Sequence, residues 1–172
     1  MMTDGLVLPP GAGRGIQGAG MILKVGAGQS GAWSAFEAEV APGFDVGAHL
    51  HHSAEEFFYI LDGELDLLAF EPQGMATGDW RGWQSASGAR VMRGGPGAAM
   101  FVPAGCPHAF ANPGTAPVRM LFLVSPPGHE HYLDEIGALI GQGGRPDPDA
   151  IAEIRVRHDI QQLTPMAVGQ PR

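Results

Sequence analysis

The chain has 172 residues, ten Lys and Arg against eighteen Asp and Glu, and a formal charge of -8, a length that suits one domain. The acidic balance excludes non-specific nucleic-acid binding and a polybasic membrane surface, and 44% hydrophobic against 16% charged residues excludes wholesale disorder. Twenty-seven Gly and fifteen Pro, scattered between short apolar runs, are too many breaks for a helical bundle and read as the turns of a mostly β chain.

Residues 1–20, rich in Gly and Pro, predict an extended N-terminal arm. Met21 to Val25 is an apolar run and the first predicted strand. Trp33 to Val40 alternates with a period of two, a second strand, and Pro42-Gly43 turns the chain. Phe57 to Leu61 and Glu64 to Phe70 read as two strands joined by the tight-turn signal Asp62-Gly63. Glu71 to Gly95 predicts a long loop with one short strand near Arg90 to Arg93. Ala98 to Val102, His108 to Asn112 and Val118 to Val124 complete the strands. The run Met120 to Val124 is apolar on both parities, so both its faces require cover. Beyond Pro127 the period changes. Leu133, Ile136, Leu139 and Ile140 recur at helical spacing, and Asp147-Pro148 opens a second helix running to about His158. Strands precede helices, which predicts α+β or a barrel with a helical tail.

The chemistry concentrates in His49-Leu50-His51-His52. Residues two apart in a strand share a face, so His49 and His51 project together and His52 projects the other way. Two imidazoles side by side suit a borderline divalent metal, and Glu55 or Glu56 adds a carboxylate. Glu56 shares a face with Phe58 and Ile60, and the odd spacing from His51 requires the chain between them to bend. Further on, Pro103, Gly105 and Pro107 interrupt the ladder and deliver His108 at the start of a fresh strand, on one face with Phe110.

These segments resemble the cupins, small metal-binding β-barrels. The first cupin motif is matched by Gly43, His49, His51, Glu56 and Gly63, and the second by Gly97, Pro103, Gly105, His108 and Asn112, with every spacing met. The 33 residues between Gly63 and Gly97 exceed the shortest cupin spacers. The resemblance implies a mostly β fold, a cupin-type antiparallel jelly-roll β-barrel with a short C-terminal helical tail. It divides the chain into an arm at 1–20, a barrel at 21–126 and a tail at 127–172 packed on the barrel, one domain in all. It also implies one divalent transition metal per chain (Fe, Ni, Mn, Co, Cu or Zn) held by His49, His51, Glu56 and His108. Inward-facing Phe58, Ile60, Met100 and Phe110 line the barrel, and form a substrate pocket if a cavity remains there.

Cupin chemistry is diverse, so fold alone does not choose a reaction. The four ligands, the Glu and the apolar lining predict an O2-using dioxygenase resembling quercetinases, with Glu56 as the catalytic proton acceptor and a small, largely apolar or aromatic substrate. The alternatives are a metal-assisted isomerase, cyclase or decarboxylase that does not use O2, and a non-catalytic metal-bearing binding protein. An oxalate-type decarboxylase is disfavoured, because small dicarboxylates require fixed cations and the sequence places none inside.

Other features take plainer readings. His129 and His131 open a predicted helix, where residues two apart diverge, and read as solvated. Cys106 reads as a small packed residue, and Trp80 and Trp83 as packing for the long loop. The lone Cys106, the lack of a signal-like start in Met1 to Gly20 and the lack of an apolar membrane span predict a cytoplasmic protein. Its partners are a small-molecule substrate, no nucleic acid and no membrane. A homodimer is expected to cover the arm and the strand Met120 to Val124, unless the helical tail does so.

Overall fold

Alternating apolar residues and Gly-marked turns give a chain built of hairpins. The computed structural model describes residues 4–74, 77–141 and 147–167. The ends of the predicted arm and tail, the tip of the long loop and the side chain of Ile140 lie outside the described residues. The strands are β1 (Arg14–Ile16), β2 (Met21–Val25), β3 (Ser34–Val40), β4 (His49–His51), β5 (Glu55–Asp62), β6 (Leu65–Ala69), β7 (Met92–Gly94), β8 (Ala99–Val102), β9 (His108–Ala111), β10 (Val118–Ser125) and β11 (Ile160–Gln162). The helices are α1 (His129–Gly141) and α2 (Pro148–Arg157).

The strands form two antiparallel sheets, ordered β1-β2-β3-β10-β5-β8 and β11-β4-β9-β6-β7. The ladders do not close into a barrel. They pack their inner faces on a shared core that includes Phe36, Phe58, Ile60, Met100, Met120 and Phe122 from one sheet and Leu65, Leu67 and Phe110 from the other. The period-two pattern sets this directly: along β5 the even-numbered Glu56, Phe58 and Ile60 are buried, while Phe57, Tyr59 and Leu61 face out. Gly63 sustains the β5–β6 turn at φ +80, where a Cβ would meet Val118 Cγ2 at 2.7 Å.

The second sheet is covered on its other face too. Ala48, Leu68, Ala109 and Ala111 pack against Trp80 and Trp83 of the long loop, so β6 and β9 are buried on both sides. Trp80 donates its Nε1–H to Asp45 at 3.0 Å, and Arg81 bridges Asp45 at 2.9 Å and Asp66 at 3.4 Å. The loop is thus a tied-down cover, with its one named strand at Met92–Gly94.

Two elements differ from the sequence reading. The arm holds β1, which pairs with β2. The tail is not purely helical, because β11 follows α2 and pairs with β4, Ile160 opposite His51 and Gln162 opposite His49. The chain reverses between them at Asp159, φ 58, a left-handed conformation that Asp tolerates; Asp159 accepts from Ser53 N and Oγ at 2.9 and 2.6 Å. Finally, α1 packs on β1 and α2, and α2 on β11. On the outer face of β5 and β8, Phe57, Tyr59, Leu61 and Phe101 are exposed. No helix among the described residues is long and apolar enough to cross a membrane.

Candidate metal centre

The short strand β4 presents His49 and His51 inward and leaves His52 exposed. Antiparallel pairing then places His108 of β9 directly opposite His49. The bend after His51 brings Glu56 to the inner face of β5 while Glu55 stays outside. All four side chains are buried, and one ligand atom from each lies within 4.8 Å of the others.

Hydrogen bonds set the imidazole tautomers. Nδ1 of His49 lies 2.8 Å from the carbonyl of Gly47, and Nδ1 of His108 lies 3.1 Å from that of Cys106. A carbonyl only accepts, so each Nδ1 carries a proton and Nε2 is the nitrogen each ring has left for the centre. Nε2 of His51 is 3.2 Å from Glu56 Oε1, and Nε2 of His108 is 2.7 Å from Oε2. Neither contact has hydrogen-bond geometry, which leaves His51 Nε2, His108 Nε2 and Glu56 Oε2 buried without partners. Orphaned polar atoms are costly in an interior. Three here converge on one point, and a divalent cation satisfies all three at once.

Charge supports the same assignment. Burial, and then the neighbouring His108, push the His49 imidazole well below its ordinary range, so it is neutral and able to donate a lone pair. Burial would raise the Glu56 carboxyl, but His108 and His51 outweigh it and hold Glu56 well below the usual carboxylate range. The donor set therefore includes a neutral His49 imidazole and an ionised Glu56 carboxylate.

His49 and Glu56 open onto a cavity of about 250 Å³ between the sheets and the helices. Its apolar wall includes Phe44, Phe58, Phe110, Phe122, Leu133 and Ile136. Two of the four predicted pocket residues, Phe58 and Phe110, line it. Ile60 and Met100 do not; they pack in the core. Strand parity directs a side chain inward, and depth along the strand then decides between core and cavity.

His129 is a second correction. It lines the cavity instead of facing solvent, its ring 5.7 Å from His51 and 5.5 Å from Phe122, whereas His131 is exposed. Burial pushes its pKa down to about 4. The helix does separate the two histidines, but α1 docks with the His129 side against the sheets. A third correction concerns cations. Arg155 of α2 is buried and lines the cavity, where the sequence placed no cation.

Cys106, Arg93 and Arg90 do not line the cavity. Cys106 is half-buried and its thiol is pushed up by burial and by Glu71, the opposite of an activated thiolate. Arg93 pairs with Asp66 at 2.8 Å, and Arg90 bonds Gln84 at 2.9 Å, both outside the cavity.

The Cupin family model matches residues 25–135, which include His49, His51, Glu56, His108 and both sheets' central strands. The chain belongs to the cupin family. This cupin is similar in fold to TT1209 from Thermus thermophilus, with 24% identity over 62% of this chain and 83% of that one and a TM-score of 0.45. It is similar also to an oxalate decarboxylase from Lactobacillus farciminis (22% identity, 64% and 30% covered, TM-score 0.48). A third is the DMSP lyase DddQ from Ruegeria pomeroyi (26% identity, 63% and 46% covered, TM-score 0.44). No curated protein sequence matches the cupin.

Proposed function

We propose that this cupin is a metal-dependent enzyme acting on a small oxygenated substrate, and that its reaction is an O2-using dioxygenation of the quercetinase kind. The observation that carries the reading is the convergence of partnerless His51 Nε2, His108 Nε2 and Glu56 Oε2 beside an apolar cavity. A divalent transition metal held by His49, His51, Glu56 and His108 would supply Lewis-acid polarisation of a substrate oxygen and, with a redox-active ion, access to O2 chemistry.

The chain's own groups do the rest. Phe58, Phe110 and Phe122 exclude water and pack a planar or apolar body. Glu56, whose Oε2 makes no hydrogen bond, takes the proton that a hydroxyl or enol substrate loses on binding. The half-buried His129, its pKa pushed down to about 4, is neutral near pH 7 and offers the cavity a ring nitrogen that can orient a substrate polar group.

Oxygen consumption decides the reading. The metal-loaded cupin is expected to take up O2 in step with the loss of a flavonol or enediol from a test panel. Absence of uptake with every member would overturn it. One observation favours a second reading, O2-independent lyase, isomerase or decarboxylase chemistry at the same centre: the buried Arg155 supplies the cation that carboxylate substrates require. Turnover under strict anaerobiosis would establish that alternative, and ligand binding without turnover in either condition would leave a binding protein.

A further inference from the structure

Arg155 is buried, 6% exposed, and has no carboxylate partner among the described residues. Other arginines of the chain have one. Arg14 pairs with Asp134, Arg81 with Asp45, Arg93 with Asp66, Arg119 with Glu37 and Arg157 with Glu135. Arg90 is exposed and bonds Gln84. Arg155 donates Nη1–H to Gln162 Oε1, Nη2 reaches only the thioether of Met166 at 3.5 Å, and Nε has no partner. A thioether is a weak acceptor. The side-on edge of the guanidinium, formed by Nε–H and Nη2–H, is therefore almost unused, and that edge matches the two oxygens of a carboxylate in a bidentate pair.

The surroundings fix what can use it. Arg155 shares the cavity with His49 and Glu56, so one cavity has two of the proposed metal ligands and a guanidinium in its wall. The link between them is short in the chain fold: Gln162, which holds Nη1, stands opposite His49 in the β11–β4 ladder. Among the described residues, the remaining polar side chains of the lining are Glu39, His129 and Tyr132, and Arg155 is its one cationic side chain. One guanidinium balances one negative charge, and a dianionic phosphate would stay half-neutralised beside Glu56. The apolar wall requires that the rest of the ligand be hydrocarbon or aromatic.

We propose that Arg155 is a substrate-binding residue that anchors a monocarboxylate with an apolar body, leaving the reacting end of that molecule to the His49–Glu56 side. This rests on the reading of the centre as a metal-dependent enzyme, in the O2-independent form that Arg155 favours, and names that form's substrate class. In the ligand-free protein the guanidinium is a buried charge without a counter-ion, an unfavourable state that an arriving carboxylate relieves.

The test uses binding, not activity. Isothermal titration of the metal-stripped full chain compares benzoate with benzamide and butyrate with butyramide, each pair alike in shape and different in charge. The wild type is expected to bind each acid at least ~10-fold more tightly than its amide. Arg155→Met is expected to lose that preference with amide binding unchanged, and Arg155→Lys to keep part of it. Thermal unfolding adds a readout that a structural arginine would move the other way: ligand-free Arg155→Met is expected to melt no lower than wild type. The proposal is overturned if the wild type binds neither acid more tightly than its amide, or if Arg155→Met retains the preference. Should Arg155→Met fail to fold, that also counts against it, and the Arg155→Lys ratio decides. Failure of the enzyme reading would look different: metal content and turnover would be absent while acid binding persisted.

Discussion

His49 and His108 face each other across the β4–β9 ladder with ring centroids 4.2 Å apart, and each is anchored through Nδ1 to the carbonyl two residues before it. The same local device on two strands leaves Nε2 of each ring for the cluster with His51 and Glu56. Anchored imidazoles lose little freedom when they take a ligand, which is how outer partners raise metal affinity.

The first prediction follows from that anchoring. Purified wild-type protein is expected to hold about one divalent transition metal per chain, and His108→Ala to lose it, as elemental analysis would show. His52→Ala, an exposed neighbour with the wrong parity, is expected to keep the metal. Loading the stripped wild type should raise its melting temperature, since an ion binding only the folded state adds about 2.7 kcal/mol at 100 times its Kd. Equal metal content in wild type and His108→Ala would mean that the cluster is structural.

Glu56→Gln separates charge from shape. The side chain keeps its volume between His51 and His108, but the neutral amide no longer offsets the cation's charge and cannot take up a proton. Metal affinity is expected to fall by more than the ~10–100-fold that loss of an outer partner costs, and turnover is expected to vanish even at saturating metal. Turnover that survives with the ion fully loaded would remove Glu56 from the proton-transfer role.

Much of this centre is legible in the chain because its ligands lie in two short segments where spacing alone fixes which side chains share a face. His49 and His51 need only strand parity, and the Pro103-to-Pro107 interruption is local. What is not legible depends on docking. Ile160-Gln161-Gln162 has weak strand character by itself and becomes β11 because β4 offers a free edge. Nothing in the sequence around Arg155 marks it, and only the seating of α2 against β11 buries it. His129 and His131 diverge as a helix requires, but which of them meets the cavity depends on how α1 lies on the sheets.

Glu130 ties the start of α1 to the first sheet. Its buried carboxylate accepts from Ala27 N at 2.6 Å, Ser34 Oγ at 2.7 Å and Gly128 N at 3.1 Å. Burial alone would raise its pKa, but these donors more than compensate and lower it. A depressed carboxylate stabilises the fold above its unfolded pKa and loses that contribution as pH falls through the folded value. Wild type is therefore expected to lose stability below about pH 4.5, as Glu130 takes up its proton. Glu130→Gln is expected to cost about 1.5–3 kcal/mol at pH 7 and to flatten that acid limb, measured by denaturant unfolding at several pH values. An unchanged acid limb in Glu130→Gln would mean that other carboxylates set it.

Gly137 is the point where α1 meets the N-terminal segment, and substituting it tests whether that segment shapes the cavity. A Cβ there would lie 1.9 Å from the carbonyl oxygen of Gln17, a backbone atom that cannot rotate away. Helix propensity favours Ala over Gly by about 1 kcal/mol, whereas forcing extra volume into a packed contact costs about 1–3 kcal/mol. The clash is with the main chain, so the cost wins and Gly137→Ala is expected to be destabilised by up to about 2 kcal/mol on balance. Relief requires residues 17–20 to move, and Gly18, Ala19 and Gly20 form part of the cavity wall. The variant is accordingly expected to keep its metal but bind benzoate more weakly, since the displaced wall admits water beside the ligand. Gly28→Ala is the control: nothing lies within 4 Å of a Cβ there, and its stability is expected to stay within about 0.5 kcal/mol of wild type. A Gly137→Ala protein with unchanged stability and unchanged benzoate affinity would show that the N-terminal segment yields freely and plays no part in closing the site.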